Sequence, residues 1–69
     1  MITPSLTLLT IKQLLMIDLY AQGHSLKEIG RELDLPAVRV GFHLKVIQHV
    51  VGAETLDEAV ELYKEWRYA

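Results

Sequence analysis

Apolar positions recur along the chain at the spacing of helices, three and four residues apart, and polar residues that start or stop helices separate the stretches. Ser or Thr followed three residues later by Glu or Gln supplies both halves of a capping box, and three such pairs occur: Thr10 with Gln13, Ser25 with Glu28, and Thr55 with Glu58. Gly23 and Gly52 suit the left-handed conformation that ends helices. Asp34-Leu35-Pro36 interrupts the middle of the chain, because proline disfavours helical geometry in the residue before it and fits the first turn of the helix that follows. The pattern therefore predicts helices near 10–22, 26–33, 37–51 and 56–67, with Ile29, Leu33, Leu35, Val40, Ile47, Ala59 and Val60 buried together. Strand-like alternation is confined to Val38, Val40 and Phe42. The expected fold is all-α, a four-helix bundle. Its two middle helices, joined by a tight turn and covered by flanking helices, have the layout of a helix-turn-helix unit. Residues 1–9, with Pro4 and no caps, read as an N-terminal arm able to lay Ile2, Leu6 or Leu8 on the bundle; residues 10–69 form the domain.

Size narrows the function. Sixty-nine residues, 51% of them hydrophobic, close one small core, which excludes most enzymes and makes oligomerisation an expected source of added stability. With no Cys there is neither a disulfide nor a thiolate metal site, as in a reducing compartment. The longest apolar run, Leu14 to Ile17, is far too short to span a membrane, and no signal-peptide pattern follows Met1. A cytoplasmic protein without membrane attachment is expected. The net charge of −2 means that any nucleic-acid binding needs a local basic face. Residues 24–49 hold one positive charge in excess, through Lys27, Arg31, Arg39 and Lys45, whereas residues 50–69 hold three negative ones. Only the middle of the chain offers such a face.

From Leu9 to Val60, three quarters of the chain, the sequence resembles the LuxR/GerE-type DNA-binding domain. The resemblance is carried without gaps by Leu9-Thr10, the AQG-x-S-x-KEI stretch from Ala21 to Ile29, the Leu33-Asp34-Leu35 turn, Val40 with His43, Ile47, Gly52, and the EAV block from Glu58 to Val60. Sigma-factor region 4 shares the middle part but lacks the EAV helix. The resemblance implies that the third helix lies in the major groove of double-stranded DNA, that the second helix and the turn hold phosphates, and that the fourth helix makes a homodimer. Carried over by position, Lys27 meets phosphate near the N-terminus of the second helix, Arg39 and Lys45 are the strongest contacts from the third, and His43 matches the family's histidine. Helical spacing turns Val38, Gly41, Phe42, Lys45 and His49 outward when Val40, Ile47 and Val51 face the core.

The chain departs from the family pattern on that reading surface. The family usually has threonine at Arg39, a polar or basic residue at Gly41 and lysine at Val50. Val38 and Phe42 reach a thymine methyl but form no hydrogen bond with a base. Glycine at position 41 is expected to cost about 1 kcal/mol of helix stability and to leave a bare patch. In the first helix Leu14 and Leu15 stand where the family has charges, leaving that helix apolar nearly all round. Leu14 and Leu15 either lie under the N-terminal arm or, together with Tyr63 and Trp66 of the fourth helix, form a dimer or partner interface.

Other chemistries find less support. His43 and His49 are six apart, on different faces of one helix, and neither they nor His24 belong to a supported i, i+4 histidine pair, so no metal ligand is assigned. Neither a nucleophile with a nearby base nor a glycine-rich phosphate loop is evident, so no catalytic residue or cofactor is assigned. Two functions remain: a small DNA-binding transcription regulator, dimeric and using its third helix, or a protein-interaction module with a degenerate reading surface that modulates a larger transcription regulator or the transcription machinery.

Overall fold

The computed structural model describes residues 9–68 and is all-helical over them. Its elements are α1 (Ile11–Ala21), α2 (Leu26–Leu33), α3 (Ala37–Val50) and α4 (Leu56–Tyr68), within a residue or so of the expected bounds. Two of the three capping boxes close fully. Thr10 and Gln13 exchange hydrogen bonds of 3.1 Å at the start of α1, and Ser25 and Glu28 exchange bonds of 3.1 and 2.8 Å at the start of α2. The third is half-formed: the Glu58 N–H donates to the Thr55 hydroxyl at 3.1 Å, and the Thr55 N–H does not donate back to the Glu58 carboxylate. That end is held from the other side, where the Gln48 side-chain amide donates to the Glu54 carbonyl at 2.9 Å and ties α3 to the start of α4. Gly23 (φ 99°) and Gly52 (φ 76°) terminate α1 and α3 in the left-handed region, as their positions suggest.

The turn between α2 and α3 owes its sharpness to more than Pro36. Asp34 adopts the left-handed conformation (φ 59°, ψ 48°), a region that aspartate tolerates better than most residues. The Leu35 N–H then reverses to donate to the Gly30 carbonyl at 2.7 Å. This draws the chain so close that a Cβ on Gly30 would collide with the Leu35 carbonyl oxygen. Glycine is required there by space rather than by its dihedral freedom, and the hydrophobic pattern gives no hint of it.

α1 packs against all three other helices, while α3 lies against both α2 and α4. The core contains Met16 and Ile17 of α1, Ile29 of α2, Val40, Leu44 and Ile47 of α3, and Ala59 and Tyr63 of α4, with Leu9 and Val51 at its ends. Leu33, Leu35 and Val60, expected inside with these, are only half-buried and pack on the outside of the cluster. In a bundle of 8 to 14-residue helices the centre is small, and residues near helix ends line its rim. The expected arm contacts of Ile2, Leu6 and Leu8 lie outside the described residues. No helix among the described residues is long and apolar enough to cross a membrane.

Candidate functional site

α3 buries Val40, Leu44 and Ile47 along one stripe. The 3.6-residue period sends Val38, Phe42, Lys45 and His49 to the opposite side, with Arg39 beside them. All five are exposed. Val38 is 81% and Phe42 64% exposed, and four residues apart they are neighbours on the helix surface. No carboxylate occurs anywhere in α3. Val38, Arg39, Phe42 and His43 line a shallow recess of about 340 Å³, in which the Phe42 and His43 rings meet edge to face with centroids 6.2 Å apart. Lys27 is exposed in the first turn of α2, whose N-terminus is capped by Ser25. Among the described residues, Lys27, Arg39 and Lys45 form no ion pair. Their charges are therefore available to a ligand, and an anion meets no carboxylate from α3 itself.

Gly41 sits differently from its expected place. It is half-buried on the flank of α3 that faces α2, and a Cβ there would come to 3.4 Å from the Leu26 Cδ1. It belongs to the α2–α3 contact, so the outward surface has no gap at this position.

A second surface lies where α1 meets α4. Ile11, Leu14, Leu15, Asp18, Tyr63, Trp66 and Arg67 line a groove of about 260 Å³. Ile11 is 79% exposed, and Leu15 and Trp66 are exposed as well. Leu14 is half-buried against the core, and Tyr63, expected at an interface, is 4% exposed and part of that core. Its ring fills the α1–α4 seam while its hydroxyl donates to Asp18 Oδ1 at 2.7 Å, so a side chain with an apolar body and one polar tip is satisfied internally. Asp18 also accepts from the Gln22 side-chain amide at 2.8 Å and lies 3.8 Å from the Arg67 guanidinium. Burial, with the Asp18 carboxylate next to it, pushes the Tyr63 phenol up to about 12. Trp66 leans on Tyr63 with ring centroids 6.1 Å apart and is the exposed aromatic of this groove.

Of the predicted nucleic-acid contacts, the structure gathers Val38, Arg39, Phe42 and His43 around one recess, keeps Lys45 on the same helix face, and leaves Lys27 on the neighbouring helix. Sequence reasoning missed the Asp18 network. Asp18, the single acidic residue of α1, is a local signal only, and Tyr63 forty-five residues away cannot be inferred from spacing. The histidines stay apart, and no group of three or more His, Cys, Asp or Glu that could hold a metal ion occurs among the described residues. His24 instead approaches Glu28 at 3.8 Å, and Glu28 is held below the usual carboxylate range chiefly by the hydrogen bonds it receives from Ser25.

Fold and site together define a small all-helical domain with one cationic helix face and one apolar groove. Compared with protein-family models, curated proteins and solved structures, the chain matches none.

Proposed function

We propose that this chain is a small DNA-binding transcription regulator of the cytoplasm, in which α2, the Asp34 turn and α3 act as a helix-turn-helix unit and α3 enters the major groove of double-stranded DNA. The observation that carries this reading is the outward face of α3, which presents Arg39 and Lys45 with no carboxylate on the helix. A duplex phosphate backbone is attracted to such a face without like-charge repulsion from the helix that must approach it most closely. In this reading Lys27 and Lys45 neutralise phosphates, the Arg39 guanidinium is the side chain suited to the O6 and N7 of guanine, and Val38 and Phe42 contact thymine methyls. His43 adds a contact at the edge of the recess. The residues shared with the LuxR/GerE-type domain, from Leu9 to Val60, support the same docking. The α1–α4 groove, through Leu15 and Trp66 with Leu14 beneath them, joins two copies into a homodimer, as paired half-sites require.

A specific observation favours a second reading, in which the chain is an interaction module that modulates a larger transcription regulator or the transcription machinery. Val38 and Phe42 form the most apolar part of the α3 face, and such a patch gains more from another protein's side chains than from base edges. Anisotropy titration of a random-sequence duplex at low salt separates the two. The DNA reading expects binding by tens of micromolar protein, followed by a sequence preference that relaxes by about 1–3 kcal/mol in Arg39→Ala. Absence of binding under those conditions selects the interaction module.

A further inference from the structure

α3 and α4 carry opposite charge on faces that both point away from the core. α4 buries Ala59 and Tyr63, and the period of the helix turns Asp57, Glu61 and Tyr68 to the far side, flanked by Glu58 and Glu65. Lys64 lies on that side too, 4.0 Å from Glu61, so the surface keeps an acidic excess. Its last turn ends in Tyr68, 74% exposed, with the Arg67 guanidinium 5.9 Å from the ring centroid on one side and the other side of the ring open. The α3 face offers the complement: Arg39 and Lys45 around the uncovered Val38 and Phe42. Both helices are fixed by core residues, with α4 packed on α3 by its inner side, so one chain cannot fold its own α4 surface onto its own α3 surface.

We infer that the acidic outer face of α4 in a second copy of this chain docks on the cationic, apolar face of α3, covering the DNA-reading surface in the free protein. The inference rests on the reading of α3 as the DNA-binding face. Charge complementarity selects this occupant over a like face, since two α3 faces or two outer α4 faces would repel. Tyr68 supplies an amphipathic aromatic for the Val38–Phe42 patch, which is otherwise left in water. Such a contact joins two different surfaces: run head to tail it is heterologous, each added copy leaves one α3 face and one α4 face free at the ends, and assembly grows with concentration. It uses neither Leu15 nor Trp66. DNA and the second copy compete for Arg39 and Lys45, which makes duplex binding disperse the assembly.

Sedimentation velocity of the full chain without DNA, over a range of protein concentration and salt, tests this. The expected result is concentration-dependent growth at low salt that is lost in half-molar salt, as the screening length falls from about 10 Å at 0.1 M towards about 3 Å at 1 M. Arg39→Glu with Lys45→Glu in one chain, and Glu61→Lys with Glu65→Lys in another, should each lower growth beyond the Leu15–Trp66 dimer at least tenfold. An equimolar mixture of the two should restore it. All four positions are exposed, and circular dichroism checks that each variant keeps its helices. Failure of the mixture to associate overturns the inference, as does wild-type association that ignores both charge reversals and disappears with Leu15→Glu. Charge-swap pairing in a chain that fails to bind duplex would keep the α4-to-α3 contact and remove DNA reading.

Discussion

The α3 face and the α1–α4 groove both expose large apolar side chains, yet they differ in where their polar groups are spent. In the groove, Asp18 is already engaged by Tyr63, Gln22 and Arg67, so its charge serves the fold and little remains for a partner beyond the apolar surface of Ile11, Leu15 and Trp66. On α3 the reverse holds. Arg39 and Lys45 have no ion-pair partner among the described residues, and the apolar Val38 and Phe42 lie between them. A surface whose charges are satisfied internally is suited to apolar association, and one whose charges are unspent is suited to an anionic ligand.

The largest expected effect starts at the α2–α3 turn that positions the α3 face. Gly30→Ala places a methyl against the Leu35 carbonyl and should cost about 3 kcal/mol, the upper part of the usual range for overpacking, read as a lowered midpoint in chemical denaturation. Ala at this position leaving stability unchanged would mean that the turn yields more easily than its geometry indicates. Next comes Tyr63→Phe, which breaks the groove side. Losing a hydrogen bond to a carboxylate should cost about 1.5–3 kcal/mol while duplex binding by the folded protein stays the same. The same residue sets a pH dependence. Its pKa in the fold, about 12, lies above the ordinary 10.0, so the stability it provides is complete below pH 10 and drains away as the pH rises towards 12. Tyr63→Phe should remove that part of the alkaline loss, a difference that thermal melts between neutral and alkaline pH would register. The smallest effect sharpens the boundary of the α3 face. Because a Cβ on Gly41 reaches Leu26 only at ordinary contact distance, Gly41→Ala should stabilise the protein by up to about 1 kcal/mol through helix propensity, and it should leave the outward surface unaltered. A weakening of duplex binding in that variant would return Gly41 to the reading surface.

Much of the architecture was legible in the chain because it rests on local chemistry. Thr10, Ser25, Gly23 and Gly52 act on their own neighbours, so helix ends follow from spacing within a few residues. The outward set of α3 was legible for the same reason: once Val40 and Ile47 face inward, Val38, Phe42 and Lys45 face outward. What spacing could not supply were contacts between elements. Tyr63 looked like an interface aromatic because its position on α4 is compatible with either side of the seam, and only the approach of Asp18 from α1 decides it. Gly41 looked like a gap in a surface because the direction from which α2 arrives is absent from the sequence of α3. Gly30 passed unnoticed, since the carbonyl it accommodates lies beyond a left-handed Asp34 whose conformation depends on the packing of the two helices it joins.

The claim that the unspent charges of Lys27, Arg39 and Lys45 are directed at nucleic acid meets its most direct test in the salt dependence of duplex binding. The logarithm of the affinity of wild type for a random duplex should fall linearly with the logarithm of salt concentration, and Lys27→Ala and Lys45→Ala should each reduce that slope by about one unit while weakening all sequences alike. An affinity that is insensitive to salt, or slopes that Lys27→Ala and Lys45→Ala leave unchanged, would contradict it.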